Sequence, residues 1–159
     1  MSPYHETRDR PHELRLDLPA AHSAQRIARS LVRLFARNEG VSAEEIERIE
    51  FIASELLANA VDHGGGERAM EEEDRPGDVR MSLLLYIRPD GWELEVGDQG
   101  GGRLEEVQEL IAPRELPDLE DERGRGFFLL RSMLDSLTVA RSEDGRGLVF
   151  RAVRLNGSG

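Results

Sequence analysis

MSLLLYIRPDGWELEV, residues 81–96, carries a complete β-hairpin in sixteen residues. Met81 to Ile87 is apolar enough for a central strand, and Pro89-Asp90-Gly91 is turn chemistry. Trp92, Leu94 and Val96 then alternate with Glu93 and Glu95 in the returning strand. The same period of two occurs earlier, where Leu14, Leu16 and Leu18 alternate with Glu13, Arg15 and Asp17. Two further strands close the chain, near Leu137–Arg141 and Leu148–Leu155, joined through Glu143-Asp144-Gly145. The chain is therefore built on hairpins.

Helical spacing fills the gaps between these strands. From about Ala21 to Arg37 the apolar positions Ile27, Leu31, Leu34 and Phe35 form one predicted face, and Gly40 supplies a stop. A second helix opens at Ser42, with Glu45 three residues on, the pair in which each side chain satisfies an orphan backbone donor. Its stripe runs through Ile46, Ile49, Ile52, Leu56 and Leu57 to Ala60, and Gly64-Gly65-Gly66 ends it. A third helix is predicted from about Gly126 to Leu137. Glu67–Asp78 carries six acids and no hydrophobic period, which predicts a solvated loop. Arg103–Arg123 is acidic and broken by Pro113 and Pro117, so a long loop with one helical turn is expected. This order predicts an α+β sandwich: a mixed, mostly antiparallel sheet with helices on one face. Residues 1–12 read as a disordered tail, 13–155 as one domain and 156–159 as a second tail.

Composition narrows the function. At 159 residues there is room for one domain. Thirty-two acids against 21 basic residues give a net charge of −11, which disfavours non-specific binding to nucleic acid or anionic membrane. The absence of cysteine excludes disulfides, zinc ribbons and thiol nucleophiles. All 21 basic residues are arginine, which excludes a catalytic or phosphate-binding lysine. No apolar run approaches the roughly 20 residues a membrane span needs. MSPYHETRDRPHE lacks the apolar core of a signal peptide, so the expected location is the cytoplasm.

Three groups carry candidate chemistry. Glu55, Asn59 and His63 stand at i, i+4 and i+8 on the second helix, each rotated by about 40° and raised by about 6 Å from the last. Such a stripe can be the polar face of an amphipathic helix. It also suits a Mg²⁺-nucleotide, the amide oxygen entering the metal shell and the carboxylate handling a proton or a water. His63 can equally cap the helix carbonyls. Next, Asp98-Gln99-Gly100-Gly101-Gly102 follows a strand directly. It reads as a glycine-rich turn, or as an acid accepting from an exocyclic amine while a planar base approaches the bare backbone. Last, Gly124-Arg125-Gly126 opens a helix, where unpaired N–H groups favour an anion. Each signal is weak alone.

In this order they are specific. ELLANAVDHG, EVGDQGGG and ERGRGFFLLRSMLDSLTV resemble the N, G1 and G2 boxes of the histidine-kinase-like ATPase superfamily. Within it the chain is most similar to bacterial anti-sigma-factor serine/threonine kinases, over nearly everything from Leu14 to Leu155. The resemblance implies that Glu55 is the general base or water-positioning carboxylate and Asn59 the Mg²⁺ ligand. It implies that Asp98 reads the adenine amine of ATP, with Gly100 and Gly102 bordering the base. Gly124 and Gly126 are implied to cradle the phosphates, with Arg123 and Arg125 beside them and His63 nearby. Arg103–Arg123 corresponds to the short ATP lid.

Some positions depart from the family pattern. Arg103-Leu104 stands where a proline often follows the G1 glycines, and Arg123 where a small hydroxyl residue often precedes the G2 glycines. Leu148 replaces a threonine common in the adenine site, a change worth typically about 1 kcal/mol for one neutral hydrogen bond. The expected activity is ATP-dependent phosphorylation of an anti-sigma antagonist by a protein that also sequesters a sigma factor. Members of this family are often homodimers, and direct nucleic-acid contact is not expected. The alternatives are a nucleotide-gated binding module with little transfer, and a free-standing sensor-kinase catalytic domain.

Overall fold

The computed structural model describes residues 12–62, 79–100, 103–112 and 121–156. Five alternating segments form one sheet: β1 (His12–Pro19), β2 (Arg80–Arg88), β3 (Gly91–Gly97), β4 (Ser136–Arg141) and β5 (Leu148–Leu155). Their spatial order is β1-β2-β3-β5-β4, and all four pairings are antiparallel. The sheet expected to be mostly antiparallel is wholly so among the described residues.

Register turns the alternation into a core. Leu16, Leu83, Val96, Phe150 and Val139 stand opposite one another across all five strands, and Leu14, Leu85, Leu94, Ala152 and Leu137 form the neighbouring row. Most of these side chains are almost fully buried. A one-residue slip would turn both rows to the opposite face, so burial fixes the register. On the opposite face Glu93 is buried between Arg88 and Arg151, a satisfied ion triad.

Four helices accompany the sheet: α1 (His22–Asn38), α2 (Ala43–Asp62), α3 (Leu104–Ile111) and α4 (Glu122–Ser132). Helix α2 packs on β2 and β3, and α1 on β1 and α2. The inner face of α1 is Ala24, Ala28, Val32 and Ala36, not the larger stripe predicted from spacing. Ile27, Leu31 and Leu34 are exposed instead, Ile27 by 59%. The small stripe lets α1 approach α2 closely, and close packing outweighs side-chain size. Gly40 stops α1 as expected, with φ +79° and the Val41 N–H donating to the Ala36 carbonyl at 3.1 Å.

At the start of α2, Ser42 Oγ accepts from the Glu45 N–H at 3.3 Å, half of the expected reciprocal cap. The Glu45 side chain does not reach back. It accepts from Trp92 Nε1 at 2.9 Å and pairs with Arg48. Helix α3 occupies two turns of the segment expected to be mostly loop. Its acids Glu105 and Glu106 suit a helix N-terminus, and Val107 and Ile111, one turn apart, are buried.

Candidate nucleotide site

Helix α2 places Glu55 and Asn59 one turn apart, as their spacing requires. Both line a cleft of about 250 Å³ with Asp62 of the same helix. The opposite wall comes from α4, through Arg123, Gly126 and Phe127. Phe127 is fixed by stacking on Phe150 of β5, with ring centroids 5.6 Å apart. Glu55 is exposed at the cleft, whereas Asn59 is partly buried. His63 and Gly102 lie outside the described residues, as does the 67–78 segment.

Helix α4 begins at Glu122, four residues before the predicted start, and ends at Ser132 rather than Leu137. The cause is Asp121, whose carboxylate caps the helix by accepting from the Arg123 N–H at 3.1 Å. Gly124 therefore sits in the first turn, and the Arg125 N–H already bonds back to Asp121 O at 3.0 Å. Gly126 belongs to the second turn, where its N–H joins the helical ladder, so the expectation that it opens the helix is corrected. With the Arg123 N–H taken by Asp121, the first-turn N–H groups left to meet an anion are those of Glu122 and Gly124. Arg125 is exposed and near Glu122.

Asp98 lies just past β3, only 8% exposed. Its Oδ1 accepts from the Gly100 N–H at 3.1 Å and the Leu148 N–H at 3.2 Å. Its own N–H donates to the Leu148 carbonyl at 3.0 Å. Leu148 thus holds Asp98 through its main chain, although it lacks the hydroxyl of the family pattern. A Cβ on Gly147 would fall 1.9 Å from the Asp98 carbonyl oxygen, so glycine is needed for this approach. Burial raises the Asp98 pKa above the ordinary carboxyl value, opposed by the two N–H donors and by the charge of Arg123.

Arg123 is the side chain that reaches toward both parts of the site. Its Nε donates to Asn59 Oδ1 at 3.0 Å, and its guanidinium lies over the Phe127 ring, 5.7 Å from the centroid. Burial lowers its pKa, opposed by Asp98, Asp121 and Glu106. Asn59 Nδ2 is buried with no partner among the described residues. An amide oxygen facing the cleft beside two carboxylates is an oxygen donor set of the kind Mg²⁺ takes together with phosphates. Among the described residues no group of three His, Cys, Asp or Glu side chains could hold a metal alone. Binding through one amide and a nucleotide needs no such group.

Gly147 and Phe127 are the contributors that sequence reasoning missed. Phe127 stands one turn after Arg123, a spacing that signals a shared helix face once α4 is started at Glu122.

The family model described as "Histidine kinase-like ATPase domain" matches residues 18–152. The anti-sigma F factor of Thermoanaerobacter sp. (strain X514) is 30% identical over 132 residues, 82% of this chain and 85% of that protein. The anti-sigma F factor of Clostridium acetobutylicum is 30% identical over 137 residues, covering 85% and 87%. Among solved structures, one from the SiaB–SiaC complex of Pseudomonas aeruginosa superposes with a TM-score of 0.68 at 16% identity, covering 92% of this chain and 91% of that one. A chain holding the RsbU and RsbW domains of a Mycobacterium tuberculosis protein gives 0.58 at 17% identity, covering 91% of this chain and 32% of that one.

Proposed function

The chain belongs to the histidine kinase-like ATPase family, and from that premise we propose that it is an ATP-dependent anti-sigma-factor kinase. It sequesters a sigma factor and phosphorylates a serine or threonine of an anti-sigma antagonist. The observation that carries this reading is the convergence of Glu55 and Asn59 on one cleft with the first turn of α4. The likeness to proteins named anti-sigma F factor, over more than four fifths of both chains, supports the choice of partners.

Each residue then has a task. Asp98 accepts from the adenine amine, and Gly100 leaves the adjoining backbone open to the base. Asn59 holds Mg²⁺, which neutralises phosphate charge when bound. The first-turn N–H groups of α4, with Gly124 among them, meet the phosphates. Arg123 and Arg125 add positive charge there. Glu55, exposed and one turn from Asn59, accepts the proton of the incoming hydroxyl. Phosphoryl transfer asks a protein chiefly for positioning and charge stabilisation, and this set supplies both. No helix among the described residues is long and apolar enough to cross a membrane. The reading places the protein's work in the cytoplasm, on protein partners rather than nucleic acid.

The test is radiolabelled phosphate incorporation from Mg²⁺-ATP into a panel of antagonist domains, alongside nucleotide affinity. Glu55→Gln keeps size and hydrogen bonding but loses basicity. It should retain ATP affinity while transfer falls by about 10²–10⁴-fold. Asn59→Ala should weaken both. Equal transfer by wild type and Glu55→Gln would remove Glu55 from the reaction. Wild type that binds ATP yet labels no antagonist would instead favour a nucleotide-gated binding module, a reading to which the Arg123–Asn59 contact lends weight.

A further inference from the structure

We propose that Arg123 is a resident cation on the metal-ligand oxygen: it holds Asn59 Oδ1 in the nucleotide-free protein, yields it to Mg²⁺, and so sets the chain's magnesium requirement. This rests on the reading of Asn59 as the metal ligand. Arg123 is a positioning residue here and takes no part in the transfer itself.

The contact is built from several sides. Arg123 Nε lies 3.0 Å from Asn59 Oδ1, across 64 residues of sequence. The main-chain N–H of Arg123 is pinned to Asp121 Oδ1 at 3.1 Å, which fixes where its side chain departs from α4. The Phe127 ring supports the guanidinium at 5.7 Å, and stacking on Phe150 immobilises that ring. Asp98, Asp121 and Glu106 surround it with negative charge. The Asn59 amide turns its oxygen to this cation although its Nδ2 is then buried without a partner among the described residues. Leaving such a donor unmade is costly, so the oxygen's partner dominates the orientation of the amide.

The amide oxygen has two lone pairs, but two cations gathered on it repel each other. Mg²⁺ demands its ligands at about 2.0–2.1 Å in octahedral geometry, and a guanidinium on the same oxygen would face a divalent charge at close range. Metal entry therefore requires Arg123 to leave Asn59. A guanidinium stays charged and pairs readily with phosphate, so in the absence of metal Arg123 itself supplies positive charge to a bound nucleotide. The two effects act in opposite directions: Arg123 favours metal-free nucleotide and opposes metal at Asn59. A serine at this position does neither.

The experiment is calorimetric titration of ADP into wild type and Arg123→Ser, in excess Mg²⁺ and in EDTA. The readout is the ratio of metal-free to metal-loaded Kd. Loss of one charge-assisted hydrogen bond and one phosphate-facing cation should enlarge that ratio about tenfold in Arg123→Ser. Equal ratios in the two proteins would overturn the role of Arg123 while leaving nucleotide binding intact. Wild type that binds no ADP in either buffer would overturn the nucleotide reading and this inference together. A second measurement needs no variant: the Arg123 Nε–H signal in nitrogen-15 spectra of wild type. It should be protected from solvent exchange without ligand, and should shift on adding Mg²⁺-ADP but much less on adding ADP in EDTA. An Nε–H signal indifferent to Mg²⁺-ADP, in protein that binds it, would also overturn the inference.

Discussion

At Asp98 two main-chain N–H groups meet a single carboxylate oxygen, at 3.1 and 3.2 Å, in a residue only 8% exposed. Those bonds favour the charged form, yet burial outweighs them and the carboxyl pKa is raised above 3.8. Between 3.8 and that raised value the folded chain carries a proton that the unfolded chain has released. Stability from this group is therefore full below 3.8 and is lost as pH rises through the folded value. Above its raised pKa the site holds an ionised group at a cost to folding. Asp98→Asn keeps an oxygen for both N–H donors and removes the charge. It should melt at an equal or higher temperature than wild type at pH 7, and the part of the pH dependence due to this group should vanish. ATP binding should weaken by about 1–3 kcal/mol, because an amide NH₂ faces the adenine amine where an acceptor stood. Calorimetric unfolding from below pH 3.8 up to pH 7.5, with an ATP titration, measures both. A variant that melts lower throughout this range would show that the charged form stabilises the fold.

Among the elements, the strands were legible to within two residues, β1 and β3 through a period of two that a helix cannot imitate and β2 as a short apolar run before a turn. Helix α2 was equally legible, and with it the pairing of Glu55 and Asn59. Helix α1 was legible as a helix but not in its facing. Ile27, Leu31 and Leu34 make the stronger stripe by side-chain size, whereas the buried stripe of Ala24, Ala28, Val32 and Ala36 answers to the closeness of α2, a tertiary fact. Helix α3 was hidden by its acids, which count against a hydrophobic period although they suit a helix N-terminus. The Arg123–Asn59 contact was beyond reach because it depends on where α4 starts, and Asp121 decides that. The facing of α1 can be tested directly. Ala28 is wholly buried and Leu34 is 55% exposed. Ala28→Leu should overpack the α1–α2 contact and cost about 1–3 kcal/mol, while Leu34→Gln should fall within about 0.5 kcal/mol of wild type. Urea denaturation of the two variants decides it, and the reverse ranking would put the predicted stripe inside.

Over the whole molecule, the candidate site is assembled from segments that meet only when the sheet is complete. Glu55 and Asn59 come from α2, Asp98 from the end of β3 against β5, and Arg123 from α4. The unfolded chain has no such surface, so a nucleotide that spans these segments stabilises the native state by mass action alone. At about one hundred times its Kd that gain is about 2.7 kcal/mol. For a chain of this length each kcal/mol moves the melting temperature by roughly 2–4 °C, so the expected rise is roughly 5–10 °C. The net charge of −11 means that this gain depends on local groups, the first turn of α4 and its arginines, working against the field of the remainder. Base identity separates the two ends of the site. Mg²⁺-GTP presents the same phosphates to Asn59 and α4 but carries a carbonyl where adenine carries its amine, and a carbonyl facing the Asp98 carboxylate sets acceptor against acceptor. Thermal unfolding at matched concentrations of the two nucleotides should therefore show a clear rise with Mg²⁺-ATP and a much smaller one with Mg²⁺-GTP. Equal rises would leave the phosphate end of the site standing and remove Asp98 from recognition of the base.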